Sequence, residues 1–262
     1  MKTAIVTGSS YGIGYSISSK LLQEGYKVYG ISRSETKIND NNFVWLKCDL
    51  YNHADIKDII NLITEDKIDL LVNNAGTAFK ENALELTDES FERMFSLNFK
   101  AQVYITNLLK NKLSGGLILN TSSTSDRWTG INYGLYSASK AALTIYFDAI
   151  ALENKDLKII NILPSYVDTP LQHKLNDKDK DDDFEWNNAM DTEKVADAYI
   201  KIVKTHDNYP NCSKIMVVSN KLIDDTEDPE KLYYYNVDTE EFKKLKWLRL
   251  YFSTFQERYF FQ

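Results

Sequence analysis

Seven short runs rich in Val, Ile and Leu recur along the chain, at residues 2–7, 27–32, 43–48, 70–73, 117–121, 158–163 and 214–218. They alternate little between polar and apolar residues, as strands covered on both faces should. Between them, apolar residues recur at helical spacing: Ile17, Leu21 and Leu22 in one stretch, and Ile56, Ile59, Ile60 and Ile63 in another. Strand and helix alternating in this way imply right-handed crossovers. The expected fold class is therefore α/β, a doubly wound parallel sheet of about seven strands with helices on both faces. A chain of 262 residues is long enough to bury the core that such a sheet requires. Asn52 is placed to cap the helix after the third strand, and Thr87 with Ser90 marks a second helix start.

Several classes of function lose support at this level. The net charge is −7 and the pI near 5.1, with no basic cluster to suit a nucleic-acid partner. No run approaches 18 apolar residues, so no membrane span is expected. The N-terminus enters a strand-like run directly, without the apolar stretch of a signal peptide. Cys48 and Cys212 lie far apart, which suits two free thiols in a reducing cytoplasm. His53, His173 and His206 share no metal-ligand spacing, and no metal site is expected. The run Asn-Asp-Lys-Asp-Lys-Asp-Asp-Asp at 176–183 reads as a solvated loop rather than a site for basic partners.

Residues 220–262 differ from the rest. Asp238 and Glu241 make a capping-box pair, and Phe242, Leu245, Leu248, Phe252, Phe255 and Tyr259 then fall on one face of an expected helix. Such a helix must cover its own domain or another subunit. A membrane-surface role, suggested by Lys243, Lys244, Lys246 and Arg249, is the minority reading.

Several positions carry candidate chemistry. The first is the turn Thr7-Gly8-Ser9-Ser10-Tyr11-Gly12-Ile13-Gly14, between the first strand and the first helix. Glycines there permit a tight turn and a close approach of backbone to a pyrophosphate, which meets the free N–H groups of the helix start. Taken alone, the turn is also compatible with no ligand. The second is Arg33, 19 residues past Gly14 at the end of the second strand. Its fork of donors suits a ribose 2′-phosphate and so NADP over NAD, with a plain surface arginine reading nearly as well. Asp49, ending the third strand, can accept from an adenine amino group or serve as a helix-start acid. The third is Tyr136 with Lys140, one helical turn apart. A cation at about 4 Å in an interior of effective dielectric near 20 supplies roughly the 4 kcal/mol needed to bring a phenol into the neutral range. Ser123 follows the fifth strand at the carboxyl edge of the sheet, placed to bond a carbonyl oxygen.

Together, the T-G-x-x-x-G-I-G turn, Asn73-Asn74-Ala75-Gly76, Asn98, Asn-Thr-Ser-Ser ending at Ser123, and Tyr136/Lys140 resemble the short-chain dehydrogenase/reductase family, in family order over residues 1–219. The resemblance implies a Rossmann-type domain with strand order 3-2-1-4-5-6-7, residues 1–219 forming the dinucleotide-binding and catalytic unit and 220–262 an extension. It implies an NADP-dependent oxidoreductase (NAD remaining possible) acting on a ketone or aldehyde and its alcohol. Tyr136 would donate the proton, Lys140 lower its pKa and hold the nicotinamide ribose, Ser123 orient the carbonyl, and Asn98, in the fourth helix, support a proton-relaying water. Cofactor contact falls by the same resemblance on Gly8, Ser10, Tyr11, Gly12, Ile13, Gly14, Arg33, Asp49 and Leu50. It continues with Asn74, Ala75, Gly76, Tyr136, Lys140, Pro164, Val167 and Thr169. Residues 166–190 would cover the substrate, and homodimers or homotetramers would form through the fourth and fifth helices. Three departures stand out: Pro164-Ser165 where the family usually has Pro-Gly, Tyr11 in place of a basic residue in the glycine turn, and no glycine-rich ending after the last strand. A non-catalytic NADP(H)-binding sensor or scaffold is the rival reading.

Overall fold

The computed structural model describes residues 1–176 and 189–218 and, as backbone, 232–236 and 241–244. Seven strands form the central part of the sheet: β1 (Thr3–Thr7), β2 (Lys27–Ser32), β3 (Phe43–Lys47), β4 (Leu70–Asn73), β5 (Leu117–Thr121), β6 (Lys158–Pro164) and β7 (Ser213–Val218). Their order is β3-β2-β1-β4-β5-β6-β7, all parallel. The doubly wound architecture expected from the apolar runs is thus present, with strand ends differing by a residue at most. Successive strand side chains point to opposite faces. Ala4, Val6, Val28, Val72 and Ile160 pack on helices α1 (Gly12–Gln23) and α7 (Thr192–Thr205) through Ile17, Leu21, Val195 and Tyr199. Ile5, Ile31, Leu71, Ile118 and Ile159 pack on the other face. There α2 (His53–Asn61), α4 (Ala101–Leu109) and α5 (Gly134–Glu153) supply Ile56, Ile60, Ile105, Leu109, Leu143 and Phe147. With both faces of the central strands β1, β4 and β5 covered, those runs need no polar alternation.

The helix-start readings also stand. Asn52 accepts a hydrogen bond from the Ala54 N–H, and Thr87 forms a reciprocal capping box with Ser90 at the start of α3 (Asp88–Phe95). Asn98, expected inside a regular helix, lies instead in a π-helical turn, Ser96–Lys100, that joins α3 to α4.

Two further strands lengthen the sheet. β8 (Leu232–Asn236) runs parallel beside β7, and β9 (Glu241–Lys244) runs antiparallel beside β8. This overturns the expected helix at Glu241–Lys244. The open edge of β8 offers unpaired N–H and C=O groups, and an antiparallel partner satisfies them where a helix cannot. The remainder of the aromatic stripe, from Leu245 onward, and the charge run at 177–183 lie outside the described residues, as do Ser219, Asn220 and Lys221.

Three asparagines sit at paired registers in the middle of the sheet: Asn73 opposite Asn120, and Asn120 opposite Asn161. All are buried. Asn73 Nδ2 donates to Asn120 Oδ1 at 2.9 Å, Asn120 Nδ2 donates to Asn161 Oδ1 at 2.9 Å, and Asn161 Nδ2 donates to Asp148 on α5 at 3.1 Å. Asp148 in turn pairs with Lys214 of β7 at 3.0 Å. A slip of any of these strands by one residue would bury several amide groups without partners. Asn120→Ala leaves an Asn73 donor and the Asn161 acceptor unsatisfied; equilibrium urea unfolding should show a loss of about 3 kcal/mol against the wild type.

Candidate active site

The strand order reverses between β1 and β4, which lie side by side although α1, β2, β3 and α2 separate them in sequence. Loops leaving adjacent strands at such a point part to either side and open a crevice at their carboxyl ends. The loop after β1 holds the glycine turn. Gly8 and Gly12 have φ of +69° and +62°, conformations that glycine alone adopts without strain. A Cβ on Gly14 would stand 2.2 Å from the Gly8 carbonyl oxygen and 2.5 Å from Asn74 Nδ2. Only hydrogen fits there.

The loop after β4 locks this turn. Thr7 Oγ1 accepts from the N–H groups of Asn74 and Ala75, both at 2.9 Å, and Asn74 Nδ2 donates to the Thr7 carbonyl at 3.0 Å. Residue 11 precedes α1 in extended conformation, and no side chain caps the helix. The first N–H groups of α1 therefore face the crevice without a side-chain acceptor. An uncapped helix start beside two left-handed glycines is a donor set suited to an anionic pyrophosphate. Thr169 lies across the crevice, its Cγ2 3.5 Å from where a Gly12 Cβ would be.

The Ser165 departure does not disturb this wall. Among described residues only Asn132 and Cys212 combine a side chain with positive φ, so position 165 makes no demand for glycine. Its N–H donates to the Val217 carbonyl at 3.0 Å, continuing β6 past Pro164. Val167 then bridges to Met190, and Thr169 caps α6 (Pro170–Leu175) by accepting from the Gln172 N–H.

At the adenosine end, Arg33 follows β2 with its guanidinium 5.9 Å from the centroid of the Tyr51 ring. Asp49 is exposed and accepts from the Tyr51 N–H at 3.2 Å, while Leu50 is buried.

The other end of the crevice collects the remaining candidates. Tyr136 lies in the first turn of α5, and the Ser123 side chain is near enough to its phenol to draw its pKa down. Lys140, 4% exposed, donates from Nζ to the Thr121 carbonyl at 2.9 Å and stands 5.8 Å from the Tyr136 ring centroid. Gly76 leaves room for both sides of this cluster: a Cβ there would come within 3.3 Å of Lys140 Nζ and 3.2 Å of Asn98 Oδ1. Both polar atoms of the Asn98 side chain have partners. Its Oδ1 accepts from the Thr77 N–H at 2.7 Å, and its Nδ2 donates to the Thr77 carbonyl and to Ser139 Oγ, each at 2.9 Å. The amide thus ties the loop after β4 to α5.

The electrostatics differ from the expectation that the lysine makes the phenol acidic. In the chain alone, burial pushes the Tyr136 phenol up to about 12, against a smaller pull from the Ser123 side chain. Burial also pushes Lys140 down to about 8, with Asp126 opposing. Desolvation disfavours both charges, and the ammonium is turned to the Thr121 carbonyl rather than to the phenolic oxygen.

Asp126 was invisible to motif reading, as were Thr121, Ser139 and Thr144. Nothing in their local sequence distinguishes them from ordinary turn or helix residues. Thr121 is a junction: its carbonyl receives Lys140, and its hydroxyl bonds the buried Tyr199 phenol of α7 at 2.8 Å.

The family profile described as short chain dehydrogenase matches residues 2–180. The chain belongs to the short-chain dehydrogenase/reductase family. Family relatives include a probable short-chain type dehydrogenase/reductase of Helicobacter pylori, 36% identical over 165 residues, 60% of each chain. An uncharacterized oxidoreductase of Staphylococcus saprophyticus is 30% identical over 76% of this chain and 89% of its own. Among solved structures, a short chain dehydrogenase family protein of Francisella tularensis superposes with a TM-score of 0.75 at 23% identity, covering 82% of this chain and 96% of that one. An alcohol dehydrogenase of Thermococcus sibiricus, complexed with 5-hydroxy-NADP, gives 0.72 at 22% identity, covering 87% and 100%. At these identities the structures establish the shared fold. The protein is therefore of an oxidoreductase family, and no helix among the described residues is long and apolar enough to cross a membrane.

The lysine makes a stability test available. An unfolded lysine binds its proton near pH 10.5 and the folded Lys140 only near 8, so protonation works against folding as pH falls through that window. Lys140→Met removes this penalty. Relative to the wild type, its unfolding free energy in urea should gain about 3 kcal/mol on going from pH 10.5 to pH 7.

Proposed function

We propose that the protein interconverts a ketone or aldehyde and its alcohol, using NADP(H) in preference to NAD(H). The observation that carries this reading is the convergence of the Tyr136 phenol, the Ser123 side chain and Lys140 at one end of a crevice whose other end is the glycine turn. The glycine backbone and the start of α1 would hold the pyrophosphate, and Arg33 the 2′-phosphate of the adenosine ribose. Asn74, Ala75 and Gly76 line the wall between, and Thr169 the wall opposite. When bound, the dinucleotide supplies the hydride and, in its oxidised form, a positive charge near Tyr136.

The chain's own residues do the rest. Ser123 bonds the substrate oxygen and holds it within reach of the phenol. Tyr136 gives its proton to that oxygen in reduction and takes one from the alcohol in oxidation. Its raised pKa suits it to keep the proton until an oxyanion develops beside it. Lys140 holds the nicotinamide ribose and returns a proton to Tyr136. Asn98 positions Gly76, Thr77 and α5 about the site. Of the segment expected to cover the substrate, residues 166–190, positions 177–188 lie outside the described residues.

The exposed Ile145, Tyr146 and Leu152 of α5, continued by stacked Phe91 and Phe95 of α3, supply an apolar strip suited to homo-oligomers. Both cysteines are free thiols, in keeping with a reducing cytoplasm. A binding-only sensor has no use for a serine, tyrosine and lysine brought to one point, and this favours the enzyme.

Stopped-flow NADPH oxidation against a carbonyl panel tests the reading. Tyr136→Phe should lower kcat/KM at least about 100-fold while leaving NADPH affinity intact, the loss expected of a general acid. Equal rates would remove the tyrosine from the mechanism, and tight NADPH binding with no turnover would favour the sensor. Arg33→Ala should weaken NADPH about tenfold or more and leave NADH unaffected; unchanged NADPH affinity would refute the role of Arg33.

A further inference from the structure

Asp126 ends the short 3-10 turn Thr124–Asp126 that begins at Ser123. Its side chain is only 1% exposed. Oδ2 accepts from Thr144 Oγ1 at 2.7 Å and from Ser122 Oγ at 3.2 Å, and Oδ1 lies 3.4 Å from Arg127 Nε without a hydrogen bond of its own. Thr144 is one turn beyond Lys140 on α5. Thr144 Oγ1 and Ser122 Oγ are 3.0 Å apart, and both also approach the Lys140 carbonyl, at 3.0 and 3.4 Å. A buried carboxylate therefore joins the turn that carries Ser123 to the helix that carries Tyr136 and Lys140. Carboxylates in protein interiors are costly unless a specific arrangement holds them.

We propose that Asp126 is a positioning residue: it clamps the Ser123 turn onto α5 and sets a buried negative charge against the Lys140 ammonium. The proposal rests on the reading of Tyr136 and Lys140 given above. Charged groups reach Asp126 from each neighbouring element. Arg127 does so from its own turn, Lys140 from α5, and Lys214 from β7, the last already paired with Asp148 of α5. Among the causes acting on Tyr136 and on Lys140, Asp126 is common to both: it disfavours the phenolate and favours the ammonium. Burial pushes the Asp126 carboxyl itself upward, while Thr144, Arg127, Ser122 and Lys214 oppose that rise.

The sign of two titrations separates charge from mere packing. Removing the carboxylate's charge lowers the midpoints of both Lys140 and Tyr136. Loosening the turn and admitting water would lower Tyr136 but raise Lys140, because hydration restores the ammonium. The experiment is NMR titration of the full chain, labelled in lysine and tyrosine, with Lys140→Arg and Tyr136→Phe assigning the signals. In Asp126→Asn the Lys140 midpoint should fall by about one pH unit, with Tyr136 falling as well. An unchanged or higher Lys140 midpoint overturns the proposal. Thr144→Val, which keeps the charge and loses one hydroxyl, should leave Lys140 at its wild-type midpoint; a fall equal to that of Asp126→Asn would also overturn it. If Asp126→Asn does not fold, Asp126→Glu, which keeps the charge, should hold the Lys140 midpoint at or above its wild-type value; a fall would overturn the proposal. No dinucleotide or substrate is present in this titration. Failure to reduce any carbonyl would thus refute the proposed reaction and leave this result standing.

Discussion

The asparagine ladder across β4, β5 and β6 is the constraint on which the candidate site depends. Each rung sits immediately before, or within three residues of, a strand end that delivers a site loop: Asn73 before Asn74–Gly76, Asn120 before Ser122 and Ser123, and Asn161 before Pro164 and Ser165. Hydrophobic burial alone is indifferent to small shifts between Val, Ile and Leu strands. Buried amides are not, because a mispaired one costs its full desolvation. The ladder therefore converts a greasy sheet into one with a single register, and the loops inherit that precision. Its continuation through Asp148 to Lys214 ties the same register to α5 and β7.

The site itself is a region where burial dominates charge. Tyr136 and Lys140 are both held away from their ionised forms by desolvation, and the close ion pair suggested by their spacing is not how the side chains lie. The lysine finds its partner in a backbone carbonyl. What the protein prepares is a neutral phenol and a reluctant cation beside an open crevice. Fixed dipoles and hydrogen bonds are already in place there before any charge develops, which spares reorganisation later.

The strand order of the parallel sheet followed only from the family resemblance, but the sheet itself was readable from the sequence because buried strands leave an unmistakable apolar signature. Gly8, Gly12 and Gly14 were legible for the same kind of reason: each answers a steric demand that one residue type meets. The pieces that escaped share a different character. Asn98 in a π-helical turn, Thr121 as a junction and Asp126 under the serine turn act through partners distant in sequence, and no local pattern encodes a distant partner. Of the ladder asparagines, Asn73 and Asn120 entered the sequence reading only as parts of motifs and Asn161 not at all, because their significance lies in register, which only the paired strands reveal. Glu241–Lys244 shows the converse failure. Apolar spacing suited a helix, and an unpaired strand edge decided otherwise.

The π-helical turn at Ser96–Lys100 threads one residue more through the helix than regular winding would hold, and so rotates everything beyond it by about 100°. Taking one residue out would let α3 run smoothly into α4 and swing Asn98 away from Thr77 and Ser139. Along this segment the number of residues is under as much constraint as their identity. A deletion there, though surrounded by helix on both sides, acts on the crevice wall like a change of phase rather than a change of side chain.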